Sequence, residues 1–344
     1  MIVTRTPFRV TLGGGGTDLP SFYEKHGGFI LAMGLDKYMY VCLNRPIVEK
    51  RIILHYTKSE SVERASELKH ELAREALKLH GIEHSMEISS LADIPASTGL
   101  GSSSCYLVGL LTALRAYRKD YASLEKVAEE ACRIELEVLK KGIGKQDQYL
   151  AAYGGMTALD ISRDGKVGVR QLHLSSWAIA ELISNCHLYY LARKRDAQEM
   201  LDEQNRAMRG PAAQRAGVEE SLLNIRDLGH RILKAVEGGD FDGFGRLMDE
   251  HWQNKKKLSG KISFQEVDEL YEAVKKDFGV LGGKIVGAGG GGFLMLYAPD
   301  AKKDLTGFMA GKGSSRLHYG VDFEGSKVVT NLANAVQTAQ DHTW

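Results

Sequence analysis

Hydrophobic and β-branched positions dominate Ile2–Leu12 and stop abruptly at four glycines, Gly13–Gly16, so the chain is predicted to open with a strand that breaks into a glycine turn. Lys37–Leu43 and Arg51–Tyr56, rich in β-branched and aromatic residues, predict two more strands, and Ser85–Ser90 a short one. Helical spacing runs through Ser61–His80 to Gly81, then through Ser104–Arg118 and Ser123–Lys141, with Ser123 placed as an N-cap. A strand at Met156–Ile161 and an Arg163-Asp164-Gly165 hairpin turn close this half. Beyond a strand at Cys186–Ala192 the pattern is mostly helical: Ala197–Arg209, Ala213–Glu237, Phe241–Leu258 and Ser263–Phe278. Strands at Gly282–Val286 and Phe293–Tyr297 then flank a glycine run. Strands and helices in both halves, without strict βαβ alternation, predict an α+β fold.

At 344 residues the chain has room for two domains. Hydrophobic residues at 43%, charged residues at 26% and a formal net charge of +1 give no bulk electrostatic reason to expect nucleic acid or a membrane as partner. Four cysteines lie far apart with no Cys-x-x-Cys pair, and Cys105 and Cys132 sit among apolar residues, which predicts a reducing cytoplasm. The start Met1-Ile2-Val3-Thr4-Arg5 does not read as a secretory leader, and the longest apolar stretch, Cys105–Leu114, is too short to cross a bilayer. A homo-oligomer is compatible with everything in the sequence.

The stretch Pro95-Ala96-Ser97-Thr98-Gly99-Leu100-Gly101-Ser102-Ser103-Ser104 runs straight into an apolar helical segment. Glycines let backbone approach a ligand, and a helix start offers unpaired N–H groups to an anion such as a nucleotide's phosphates. No Gly-Lys-Ser/Thr follows, so it is not the Walker loop, and Ser104 stands where the dinucleotide fingerprint has its third glycine. A capped turn is the plainer reading.

Two acids share the Ser123–Lys141 helix. Glu137 has Arg133, Lys140 and Lys141 one turn away and reads as a solvated carboxylate, in pairs worth about 0.2–0.5 kcal/mol. Glu135 has Ala131, Cys132, Val138 and Leu139 at the same distances and falls on the packed face, where an acid needs a cation. That cation is either Mg²⁺ shared with a nucleotide or a core Arg or Lys. Asp147, in Gly144-Lys145-Gln146-Asp147-Gln148-Tyr149, is either the N-cap of a short helix or a general base held ionised by Arg9 or Lys145. The run Gly287-Ala288-Gly289-Gly290-Gly291-Gly292 is either a wide hairpin turn or a bare backbone surface against phosphates. Asp18, beyond Gly13–Gly16, can accept from sugar hydroxyls. The eleven histidines show no ligand spacing and are given no role, and Lys255-Lys256-Lys257 reads as a solvated helix end.

Taken together, Thr6-Pro7-Phe8-Arg9-Val10-Thr11-Leu12, the Pro95–Ser104 loop and Ile285–Phe293 resemble, in order, three motifs of the GHMP kinases (galactokinase, homoserine kinase, mevalonate kinase, phosphomevalonate kinase). The resemblance implies two α+β domains, residues 1–165 binding ATP and residues 166–344 forming a ferredoxin-like C-terminal domain. It implies ATP phosphates on the segment of Pro95, Gly99, Leu100, Gly101, Ser102, Ser103 and Ser104, with Mg²⁺ on Ser103 and Glu135. Asp147 would be the base, Arg9 would steady the transferring phosphoryl group, and Gly15, Gly16, Thr17, Asp18, Gly289 and Gly290 would meet the sugar. Galactokinases carry Gly-Glu-His-Thr-Asp where this chain has Gly14-Gly15-Gly16-Thr17-Asp18, which puts galactose itself in doubt. That turn and Gly144–Tyr149 look most like the family's heptose 7-phosphate kinases, which phosphorylate an anomeric hydroxyl on the way to GDP-heptose and surface polysaccharide. A second phosphate on the heptose would need extra cations, for which Arg193, Lys194 and Arg195 are candidates; a kinase for an unphosphorylated, fucose- or galactose-like sugar and a non-catalytic sugar sensor stand as rivals.

Overall fold

The computed structural model describes residues 1–192, 197–299 and 303–332. Its first sheet starts from β1 (Ile2–Gly13) lying antiparallel along one edge of the long β2 (Gly28–Asn44). After β3 (Ile52–His55) and β4 (Ser59–Val62), β5 (Met86–Ala92) pairs with the second half of β2, and β6 (Met156–Ile161) pairs with its first half. β7 (Val167–Gln171) continues the sheet from β6 around the expected Arg163–Gly165 turn. Among the described residues only β3 and β5 run parallel.

The second sheet contains β8 (Cys186–Tyr190), β9 (Gly282–Ile285), β10 (Phe293–Tyr297) and β11 (Ser315–Leu317), all antiparallel in the order β11-β8-β10-β9. That order is the ferredoxin-like one, so the expected α+β class and C-terminal architecture are observed. The connection between β8 and β9 holds the helices Ala197–Arg209, Ala212–Glu237, Phe241–Lys256 and Gln265–Phe278. β12 (Lys327–Asn331) then returns to the first sheet beside β1, so both β7 and β12 cross the expected boundary at residue 165. Among the described residues no helix is long and apolar enough to cross a membrane.

The main core lies between the first sheet and the helix Ser102–Arg118, which packs across β1 and β2. Phe8, Val10 and Leu12 point into it, whereas Arg9 and Thr11 line a cavity, the period-2 alternation of a strand. One register shift precedes Arg9 and another follows Thr11, the kind of irregularity that re-aims side chains beside a site. A second core, with Trp252, Tyr271 and Tyr189, fills the space around the ferredoxin-like sheet.

Two expectations need correction. Ser61–His80 is not one helix: β4 ends at Val62, a 3₁₀ turn covers Ala65–Glu67, and the helix is Glu71–Leu79. Glu60 fixes the connection by accepting from Lys69 N (2.6 Å) and His70 N (3.0 Å), and His70, an unusual cap, accepts from Ala73 N. The strand expected at Lys37–Leu43 starts at Gly28, because Phe29–Leu35 is buried on both faces and shows no alternation.

Candidate active site

A cavity of about 300 Å³ opens where β1, the serine-rich loop, the glycine run and the helix Phe241–Lys256 meet. The serine loop enters the Ser102–Arg118 helix through Gly101 in the left-handed region (φ 82°), and no side chain caps that helix. The capped-turn reading therefore fails, because the hydroxyls do something else. Ser103 and Ser104 donate to Glu135 Oε1 (3.0 Å) and Oε2 (2.6 Å), leaving the first-turn N–H groups to whatever sits in the cavity.

Glu135 is fully buried, and Gln148 Nε2 gives it a third hydrogen bond (2.6 Å). Lys141 Nζ stands 3.6 Å from Oε1, so the carboxylate has a lysine partner as well as an outlook on the cavity. The sequence had grouped Lys141 with Glu137. Residues Arg133–Val138 form a π-helical turn, which changes the helical phase and brings Lys141 N–H onto Glu135 O (2.9 Å). Glu137 is exposed, as expected, but so is Val138. Mg²⁺ typically takes one or two carboxylates and completes its shell with phosphate oxygens and water. One buried carboxylate beside a serine hydroxyl at a phosphate-ready helix start suits that demand. Among the described residues no group of three or more His, Cys, Asp or Glu side chains is arranged to hold a metal by itself.

Asp147 lies in the first turn of the helix Gln146–Tyr153, whose N-cap is Lys145, so Asp147 is not the cap. Arg9 donates to its Oδ1 from both Nε and a terminal nitrogen, each at 2.7 Å, and from Nη1 to Gly99 O at 2.7 Å. Oδ2 lies against Gly101, where a Cβ would approach within 3.2 Å, so the missing side chain leaves room at that oxygen. Asp18, also buried, accepts from Gln146 N (3.1 Å), Gln146 Nε2 (3.2 Å) and Gly16 N (3.3 Å). Thr11 Oγ1 donates to Gln146 Oε1 (2.6 Å) and so fixes which way that amide faces. Burial first, then the nearby charge of Asp147, pushes the Asp18 carboxyl above its ordinary range, partly offset by the Gln146 bond.

Gly15, Gly16, Asp18, Gly99, Gly101, Ser102, Ser103 and Ser104 all line the cavity, together with Arg9, Glu135 and Asp147. Five expected contacts are placed elsewhere. Pro95 is exposed, its carbonyl accepting from Thr98 Oγ1, and Leu100 is core, with its carbonyl accepting from Arg9 N. Thr17 is buried and bonds Gly14 O and Phe29 O, pinning the turn to β2. Gly289 and Gly290 pack on Ile262, and the run meets the cavity through Gly287 and Ala288 instead. The loops are interlocked there: a Cβ on Gly287 (φ 73°) would lie 2.5 Å from Gly99 O. Arg193, Lys194 and Arg195 lie outside the described residues.

The sequence missed a cluster on the opposite wall. Lys255 is buried, not solvated, and donates to Ile285 O (2.9 Å) and Gly287 O (2.5 Å). Lys284, 2% exposed, donates to Leu12 O (2.9 Å), and His251, 1% exposed, has no hydrogen-bond partner for either ring nitrogen. Met248, His251, Trp252 and Lys255 are spaced i, i+3, i+4, i+7 on one buried helix face, a signal that was available. Burial, then the Arg9 charge, lowers the Lys255 ammonium to about 7. Burial and the neighbouring lysines hold Lys284 and His251 well below their usual ranges. Gln204, from the Ala197–Arg209 helix, also faces the cavity and donates to Gly16 O (3.1 Å).

Comparison with known proteins agrees with the fold. The model for the GHMP kinases N terminal domain matches residues 62–155, and that for the GHMP kinases C terminal matches residues 232–307. D-glycero-alpha-D-manno-heptose 7-phosphate kinase of Campylobacter jejuni is 27% identical over 88% of this chain and 91% of its own length. L-fucokinase/L-fucose-1-P guanylyltransferase of Bacteroides fragilis is also 27% identical, over 86% of this chain but only 34% of that longer protein. The solved D-glycero-D-manno-heptose 1-phosphate kinase of Bacteroides thetaiotaomicron shares the fold with a TM-score of 0.77 at 23% identity, covering 96% of this chain and 99% of that one.

Proposed function

The chain belongs to the GHMP kinases and is a sugar kinase of that family, a family that takes phosphate from ATP; from that premise we propose that its acceptor is the anomeric hydroxyl of D-glycero-D-manno-heptose 7-phosphate. The product would be the 1,7-bisphosphate, on the route to GDP-heptose and surface polysaccharide. Residues 1–165 would be the ATP-binding unit and residues 166–344 the second, with β7 and β12 contributed across to the first sheet.

The Arg9–Asp147 pair at 2.7 Å, seated between the serine helix start and Asp18, supports this reading most. In it, the first-turn N–H groups of the Ser102–Arg118 helix and the backbone of Gly99 and Gly101 cradle the ATP phosphates. Gly15, Gly16 and Asp18 hold the sugar. Asp147 Oδ2 takes the proton of the acceptor hydroxyl as its oxygen forms a bond to the γ-phosphorus, the bond to the bridging oxygen breaks, and ADP leaves. Arg9 orients Asp147 and offers positive charge to the phosphoryl group in flight. Ser103 and Glu135 would hold Mg²⁺, which supplies charge neutralisation at the phosphates when bound.

The two curated relatives act on different sugars, so the acceptor is what needs testing. ADP release is measured with MgATP against heptose 7-phosphate, free heptose, heptose 1-phosphate, fucose and galactose. Turnover with heptose 7-phosphate at least 100-fold above the others is the expected result. A preference for fucose or galactose would replace the acceptor, and no ADP release with any of them would favour the sugar sensor.

A further inference from the structure

The helix Phe241–Lys256 and β9 put Lys255, Lys284 and His251 into the cavity with no acidic partner for either lysine among the described residues. We infer that these three side chains form a subsite for a phosphate monoester, and that the monoester is the second phosphate of the acceptor sugar. The inference rests on the phosphorylated acceptor proposed above.

An ammonium carries three donors. Lys255 spends two on the carbonyls of Ile285 and Gly287, and Lys284 one on Leu12, so three donors are left over between them. His251 adds two ring nitrogens without partners in a side chain almost fully enclosed. The cavity's own acids cannot supply the missing charge: Asp147 is engaged by Arg9, Asp18 by Gln146, and Glu135 by Ser103, Ser104 and Gln148. Buried cations facing only carbonyls are costly until an anion joins them, and a dianion matches two ammoniums. The lowered ammonium of Lys255 fits the same picture, since a bound dianion would restore its proton.

Position favours the acceptor over ATP. Lys284 bonds the carbonyl of Leu12, immediately before the Gly13–Gly16 turn on the sugar side of the cavity. The uncapped start of the Ser102–Arg118 helix already offers a nucleotide its donors.

The test compares heptose 7-phosphate with free heptose at saturating MgATP, in the wild type, Lys284→Met, Lys284→Arg and His251→Gln. Expected for Lys284→Met is a KM for heptose 7-phosphate raised about 30-fold, kcat/KM for free heptose changed less than about threefold, and KM for ATP unchanged. Lys284→Arg should recover part of the loss, and His251→Gln should give a smaller shift of the same kind. Equal losses with both acceptors, or a raised KM for ATP, would assign the cations to the transferring phosphoryl group or to the fold and overturn the subsite. Inorganic phosphate, titrated calorimetrically into the full chain saturated with MgADP, gives a second reading independent of turnover. The wild type should bind it, and Lys284→Met, or His251→Gln if the methionine variant does not fold, should bind it at least tenfold more weakly. Phosphate binding without turnover of either heptose would sink the acceptor proposed above and leave the subsite standing. Turnover of heptose 7-phosphate with no phosphate binding would do the reverse.

Discussion

On the wall of the cleft built from the first sheet, each acid already has its donors: serines, a glutamine and Lys141 around Glu135, Gln146 and Gly16 around Asp18, and Arg9 on the half-buried Asp147. On the wall built from the helix Phe241–Lys256 and β9, two lysines face carbonyls and a histidine has no hydrogen-bond partner among the described residues. The first wall is set before any ligand arrives, which is what catalysis by prearranged charge requires. The second holds charge that only an incoming anion can balance. The helix Phe241–Lys256 that carries part of the second wall bridges the two cores, with Phe244 and Met248 in one and Trp252 in the other.

The contrast breaks most sharply at Asp147. Asp147→Asn keeps the shape of the first wall but removes the base, and kcat should fall about 10³-fold while nucleotide affinity stays within about threefold. Steady-state kinetics alongside nucleotide titration checks this, and a kcat within tenfold of wild type would remove Asp147 from that role.

A smaller effect probes the second wall through stability. The Lys255 ammonium sits at about 7 in the folded chain against 10.5 for a free side chain. Between those values the unfolded chain holds a proton that the folded chain lacks, so this residue makes stability rise with pH, by up to about 1.4 kcal/mol per pH unit. Urea unfolding at pH 7.5 and 9.5 should show a steeper rise in the wild type than in Lys255→Met, and saturating phosphate should flatten the wild-type slope. Parallel slopes would mean that Lys255 stays protonated without help. Smallest is Glu135→Gln, expected to raise the Mg²⁺ concentration for half-maximal rate about tenfold. An unchanged Mg²⁺ dependence would leave Glu135 as the partner of Lys141 and the serines alone.

How much of this was legible follows the same division. Arg9, Ser103, Glu135, Asp147 and Asp18 stood out because the chemistry of the first wall uses glycines and acids in short motifs, and apolar neighbours flagged Glu135. Lys141 was misassigned because helical phase was counted through a π-turn that spacing does not reveal. Lys255 looked solvated because Lys256 and Lys257 beside it are, Lys256 pairing with Asp268 and Lys257 lying exposed. Lys284 and Gln204 gave no local sign at all, because their partners, Leu12 and Gly16, stand far back along the chain. The fold was readable where strands alternate and helices are long. It was lost at short edge strands such as β11 and β12, whose pairing depends on residues elsewhere.

Ile2 in β1 lies opposite Asn331 in β12, so β1 completes its pairing only after a strand 329 residues further along has been made. At about 5–20 residues per second, the outer edge of β1 waits on the order of tens of seconds for its neighbour. During synthesis that edge, which includes Thr4 and Arg5, is an open template for other chains. The nascent polypeptide therefore needs shielding along β1 for as long as β12 is still unmade.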